Sequence, residues 1–244
     1  WNDVKPKVSG KTWLLLILAG VFLGSHFATW ITSLEYTTVA SSVVFVTTAP
    51  LWVALLSPIF LKEKLTRWIA IGLIVSLLGS FIVGLSNNCT ITNQGVTCSN
   101  INNLWSGRYF VGNLLALAGA FLSGGYIMVG RKVRNSLSLP IYTAVVYGVA
   151  SIVLILLVVI TGAKVTGFAP KSYVWIIALA LIPQVIGHTA FNWALKYLSA
   201  AYVSIALLGE PVGTVILAAL LLHEMPTALE ILGGIFILIG ISVA

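Results

Sequence analysis

Gln184, His188 and Asn192 recur at every fourth residue within 172–195, a stretch that is otherwise almost wholly apolar. Four residues on an α-helix overshoot a full turn by about 40°, so the three side chains share one face, with Trp193 alongside. Two amides and an imidazole offer hydrogen-bond donors and acceptors, and the imidazole can also take up a proton. A second candidate stands alone. In "LGEPVGTVILAALLLHE" (208–224) Glu210 lies near the middle of an oily run, directly before Pro211. Proline has no N–H to bond back to the carbonyl of Leu207, and a carboxylate at this depth can bind a proton or an amine. His26, Trp30 and Ser33 make a further face near the start of the chain. These groups suit binding and proton exchange. No serine–histidine or paired-aspartate motif accompanies them, and "HEMP" (223–226) lacks the second histidine of a zinc-binding helix. "SGKT" (9–12) echoes a phosphate loop but has Lys5 in place of its first glycine. An enzyme, a cofactor and a metal site are therefore not expected.

The elements that must carry these residues follow from their solvent. Of 244 residues 59% are hydrophobic and 8% charged, whereas a soluble domain carries about 25% charged residues. A water-facing surface cannot be built from so few, so the fold class is an all-α polytopic membrane protein. Eight apolar runs are long enough to be spans: 12–33, 37–61, 67–85, 109–130, 139–162, 172–195, 200–222 and 227–244. The runs are continuous rather than alternating, which disfavours barrel strands. The net charge of +7 is then a matter of topology, not of nucleic-acid binding. With the N-terminal segment cytoplasmic, ten basic residues fall inside (Lys5, Lys7, Lys11, Lys62, Lys64, Arg67, Arg131, Lys132, Arg134 and Lys196). Three fall outside: Arg108, Lys164 and Lys171. Both termini are thus expected in the cytoplasm. Cys89 and Cys98, the two cysteines of the chain, lie in the long connection 86–108 that this topology places outside. In an oxidising space they are expected to form a disulfide; two loop thiols are the alternative, and a zinc site lacks further ligands.

Sliding the chain by 161 residues lays Tyr36 on Tyr197, Ala40 on Ala201, Pro50 on Pro211 and Glu63 on Glu224 without a gap. Thr66, Gly72 and Gly79 likewise meet Thr227, Gly233 and Gly240. Each span lands on the span five later. Five is odd, so the copies point in opposite directions, as in inverted-repeat transporters. Residues 109–244 hold five helices and 12–85 match the last three, so two further helices are expected before Trp1.

With its Glu-Pro and Glu-x-x-Thr landmarks and the closing run "LGEPVGTVILAALLLHEMPTALEILGGIFILIG", the chain resembles the EamA type of the drug/metabolite transporter superfamily. The resemblance implies a ten-helix fold of two inverted five-helix repeats, eight helices being present here. It divides the chain into an incomplete first repeat (1–85), an extracytoplasmic loop (86–108) and a complete second repeat (109–244). It also implies a secondary transporter of the plasma (bacterial inner) membrane that exports amino acids, other metabolites or drugs by alternating access.

On that reading the partners are a small-molecule substrate and the lipid bilayer, with monomer and homodimer both open. The expected substrate-binding residues are Glu210, His188, Asn192, Gln184, His26, Trp30 and Trp193, with proton coupling through Glu210 or His188. For each an alternative stands beside it: the stripe can hydrogen-bond neighbouring helices, and Glu210 can satisfy local groups in its protonated form. Secondary candidates are Thr47 and Thr48 before Pro50, the stripe Thr143, Tyr147 and Ser151, and Tyr126 with Ser123. Gly112, Ala116, Ala120 and Gly124 read as a close-packing ridge, Trp13, Trp68, Trp105 and Trp175 as interfacial anchors, and Glu63 and Glu224 as structural. Thr227 and Glu230 read as a capping box. Apart from Arg67 at the very start of 67–85, the spans contain no lysine or arginine to bind organic phosphates. A cation or drug–proton antiporter, or a non-transporting membrane subunit on a carrier scaffold, are the competing functions.

Overall fold

A computed structural model describes residues 9–85, 89–92, 95–98, 107–217, 219–220, 223 and 225–244. Lys5, Lys7, Trp105 and Glu224 lie outside the described residues. The apolar runs fold as helices: α1 (Gly10–Tyr36), α2 (Val39–Val46), α3 (Ala49–Phe60), α4 (Arg67–Leu85), α5 (Gly107–Arg134) and α6 (Leu139–Thr161). Then come α7 (Pro170–Leu179), a π-helical segment (Ala180–His188), α8 (Thr189–Ala194), α9 (Ala200–Leu207), α10 (Glu210–Leu217) and α11 (Ala228–Val243). Among the described residues seven spans are long and apolar enough to cross a bilayer, and α11 is a shorter apolar helix. The long connection adds an element that continuous apolar runs could not signal. Strands β1 (Cys89–Thr92) and β2 (Gly95–Cys98) form an antiparallel hairpin with Cys89 opposite Cys98. The cysteine side chains lie outside the described residues.

Two spans are broken, each just before a proline. The break between α2 and α3 falls at Thr47–Thr48, and that between α9 and α10 at Leu208–Gly209, which are equivalent under the 161-residue shift. Pro50 and Pro211 cannot donate to the preceding turn. The chain responds with tight three-residue turns: Thr48 N bonds Phe45 O at 3.2 Å, and Gly209 N bonds Ala206 O at 3.0 Å. Other local features also recur at the shift. Thr38 and Ser199 cap α2 and α9 through the N–H groups of Ser41 and Tyr202. Thr66 Oγ1 and Thr227 Oγ1 each accept, at 3.2 Å, from the N–H three residues on. The second belongs to a complete capping box with Glu230. Lys62 (φ 57°) and His223 (φ 59°), again equivalent, are the non-glycine residues in left-handed conformation among those described.

The chain forms two compact units, Trp1–Ser25 with Gly125–Tyr197, and His26–Gly124 with Leu198–Ala244. In the second unit α4 and α11 cross antiparallel on glycines. A Cβ on Gly72 would stand 2.5 Å from the carbonyl oxygen of Gly240, and one on Gly79 would stand 2.5 Å from that of Gly233. The shift maps Gly72 to Gly233 and Gly79 to Gly240, so these contacts exchange with each other. The pairs Gly72–Ala244 and Gly233–Val83 do the same, as do Gly79–Ile237 and Gly240–Ser76. At the centre Ser76 Oγ donates to the carbonyl of Ile237, its own counterpart, at 3.4 Å. The crossing is two-fold symmetric in these pairs. Close backbone approach of this kind lets dispersion hold helices together where lipid removes the hydrophobic drive.

The second unit also contains hydroxyl pairs that act as packing glue. Asn113 Oδ1 accepts from Thr37 Oγ1 and Ser41 Oγ, both at 2.8 Å, and Ser33 Oγ meets Ser42 Oγ at 2.6 Å. Glu63 Oε2 accepts from Ala200 N at 3.0 Å, tying the α3–α4 connection to the start of α9. The ridge on α5 is a packing surface: Ala116 and Ala120 are buried, and Gly112 and Gly124 pack on Thr37 and Trp52.

Candidate functional site

The span from Pro170 to Ala194 is mostly surface, with Leu181, Ile182, Val185 and Ile186 all exposed. Against that background the polar stripe stands out. Gln184 and His188 are half-buried and Asn192 is completely covered (0% exposed). Pro183 lies inside the π segment, where the wider turn accommodates a residue that cannot join the helical ladder.

In the first unit Asn192 is the centre of a neutral polar cluster. Its Nδ2 donates to Tyr126 Oη at 2.6 Å and to Tyr147 Oη at 3.2 Å. Tyr147 Oη also meets Thr189 Oγ1 at 3.2 Å. Asn192 Oδ1 is buried and has no hydrogen-bond partner among the described residues. The His188 ring packs against Phe191 (centroids 4.7 Å apart) and Tyr126 (6.2 Å). α5 supplies Tyr126, α6 supplies Tyr147, and the π segment with α8 supplies the rest. Chemically this is a hydrogen-bonding surface with aromatic walls and an open acceptor on Asn192. It contains no carboxylate.

Trp193 is not part of it. One residue is about 100° of rotation on an α-helix, and Trp193 is 55% exposed, with its ring 5.0 Å from that of Tyr197. Of the stripe Thr143, Tyr147 and Ser151, only Tyr147 is drawn in; Thr143 Oγ1 bonds back to Leu139 O at 3.0 Å, and Ser151 is exposed. Thr189, the fully buried Tyr142 and Arg134 belong to the surroundings and escaped the sequence reading. A signal for them existed. Tyr126, Gly130 and Arg134 also recur every fourth residue, and Gly130 leaves room for Tyr142, whose hydroxyl would be 2.8 Å from a Cβ there.

His26, Trp30 and Glu210 belong to the second unit. His26 is buried (7% exposed), and its Nδ1 donates to the carbonyl of Gly119 at 2.9 Å. A carbonyl only accepts, so Nδ1 carries a proton. Trp30 stacks on the ring (5.7 Å, 19° between planes), and its buried Nε1 has no hydrogen-bond partner among the described residues. Glu210 opens α10 directly after the helix break, with an accessible side chain beside the buried Pro211. No cluster of three metal-ligating side chains occurs among the described residues.

Comparison with known proteins places this geometry in context. A model of the EamA-like transporter family matches residues 1–85 and 110–244. The uncharacterized transporter YdfC of Bacillus subtilis is 26% identical over 226 residues, covering 90% of this chain and 67% of its own length. An uncharacterized transporter of Archaeoglobus fulgidus is 25% identical over 245 residues, covering 99% and 79%. One crystal structure matches with a TM-score of 0.77 at 16% identity, over 95% of this chain and 75% of the other. That likeness speaks for the fold alone.

Proposed function

The chain belongs to the EamA-like transporter family, and we propose on that footing that it is a secondary carrier exporting small metabolites, amino acids or solutes like them, by alternating access. Its site is the surface around Asn192, Tyr126, Tyr147, Thr189 and His188, with Gln184 on the same face. The observation that carries this reading is the open Oδ1 of Asn192. A buried amide with an unused acceptor inside a membrane span is costly unless a ligand or water completes it. Its neighbours on the stripe are the polar members of an otherwise lipid-exposed helix, which favours a solute-facing surface over simple packing. Glu210 is the proposed proton- or amine-binding group. The carrier sits in the plasma (bacterial inner) membrane with both termini cytoplasmic, as the distribution of lysine and arginine favours.

The test is counterflow of radiolabelled L-amino acids, presented singly, in proteoliposomes. Asn192→Ala, folded and inserted, is expected to raise the half-saturating concentration about tenfold, the loss typical of one buried hydrogen bond to a ligand. Unchanged half-saturation for every transported solute would remove Asn192 from the site.

A further inference from the structure

Arg134, the last residue of α5, is covered (2% exposed), although it ends its helix. Its Nε donates to the carbonyl of Asn192 at 3.0 Å, and its Nη1 donates to the carbonyl of Leu137. One turn earlier Arg131 Nη1 donates to the carbonyls of Leu195 (2.9 Å) and Lys196 (3.2 Å). Two guanidinium groups from one turn of α5 thus receive the carbonyls at the end of α8. Those carbonyls need outside donors, and positive charge at a helix C-terminus is favourable. The chain beyond α8 makes the need specific. Lys196 N bonds Trp193 O and Tyr197 N bonds Ala194 O, tight turns that pass over the carbonyl of Asn192. Arg134 supplies what the helix does not.

Tyr126 and Arg134 lie eight residues apart on one face of α5, and the side chains of both hold Asn192: Tyr126 accepts from its side-chain amide, and Arg134 donates to its backbone carbonyl. We propose that Arg134 is a positioning residue for solute binding, which sets where Asn192 Oδ1 stands without itself touching the solute. This rests on the reading of Asn192 as a substrate contact. The rigid guanidinium fork reaches the two carbonyls from two separate nitrogens, Nε and Nη1, whereas the donors of lysine all sit on one nitrogen at the end of a flexible stem, with none at the Nε position.

Three variants test it in the full chain: Arg134→Lys, Arg134→Gln and Lys132→Gln, the last removing an exposed charge from the same turn. Hydrogen–deuterium exchange in lipid nanodiscs needs no solute. Both Arg134 variants are expected to speed exchange several-fold across 189–199, with Lys132→Gln at the wild-type rate. Unchanged exchange in Arg134→Lys, or an equal rise in Lys132→Gln, overturns the clamp. In L-amino-acid counterflow, Arg134→Lys is expected to raise KM about tenfold with little change in maximal rate. In the Asn192→Ala background it is expected to change KM no further, because the two residues act as one unit. Full additivity, or a wild-type KM in Arg134→Lys where Asn192→Ala raises it, overturns the positioning role and leaves the site reading intact. A wild-type KM in Asn192→Ala instead overturns the site reading, and the positioning role falls with it.

Discussion

An amide at the heart of a membrane protein has to find its partners in neighbouring helices, and Asn192 finds two on tyrosines from α5 and α6. The bonds differ, and so should their loss. Tyr126→Phe removes the 2.6 Å bond from a fully buried site, whereas Tyr147→Phe removes the 3.2 Å bond from a half-buried one. Interhelical hydrogen bonds in membranes contribute about 0.6 kcal/mol on average and up to about 1.7. Tyr126→Phe is expected near the upper figure and Tyr147→Phe near the mean or below, measured by thermal unfolding in detergent. Glu210 calls for a different substitution. Glutamine keeps its size and hydrogen-bonding reach but cannot ionise, so Glu210→Gln separates charge from packing. If Glu210 carries a proton or a substrate amine, the variant should unfold like the wild type yet lose counterflow or its dependence on pH. Wild-type flux with a wild-type pH response in a stable variant would leave the carboxylate with a local role only.

Helices in lipid are assembled through close approach, and α4 with α11 shows how closely glycine allows it. A methyl group on Gly79 would stand 2.5 Å from the carbonyl oxygen of Gly233, where backbone must yield. Gly79→Ala is therefore expected to destabilise by about 1–3 kcal/mol, the usual cost of overpacking. Gly213 in α10 is the control: nothing lies within 4 Å of a Cβ there. Alanine at Gly213 should be neutral or slightly stabilising, because it raises helix propensity by about 1 kcal/mol. Equal melting temperatures for the two variants would contradict the observed crossing. The paired breaks before Pro50 and Pro211 are the other decisive element. Each divides a span into two short helices, which leaves Glu210 at the head of α10 rather than inside a continuous helix.

Across the whole molecule, charge and cysteine chemistry bear on the same question of sidedness. The distribution of basic residues favours an outside position for the connection 86–108, and the β1–β2 pairing adds a geometric condition for a bridge between its two cysteines. Cys89 and Cys98 are direct cross-strand partners. Such partners have Cα atoms about 4.5–5.5 Å apart, within the range of about 4.4–6.8 Å that a disulfide spans. In intact cells an impermeant maleimide is expected to label neither cysteine until a reductant is added, and both afterwards. A cysteine introduced at Lys64 should react only in inverted vesicles. Labelling of Cys89 and Cys98 without reductant would refute the bridge, and labelling of the Lys64→Cys variant in intact cells would reverse the topology.

The sequence by itself determined where the spans run and, through Thr227 and Glu230, how the last helix begins; the breaks before Pro50 and Pro211 and the other caps emerged with the structure, although their causes are just as local. Those features follow from local causes: an apolar run of sufficient length, a proline without an N–H, a threonine or serine placed before its helix. It also showed that Gln184, His188 and Asn192 share a face, because helical periodicity is local too. It could not show what that face meets. Trp193 reads as a neighbour of Asn192 along the chain, yet one residue of rotation turns it to the surface beside Tyr197. Arg134 reads only as one of the cytoplasmic charges and Tyr142 carries no signal of its own, yet packing buries both beside the cluster. In lipid, polarity does not sort inside from outside as water does. Which helices come together, and hence which polar side chains find one another, is decided by shape and hydrogen-bond complementarity between segments far apart in the chain.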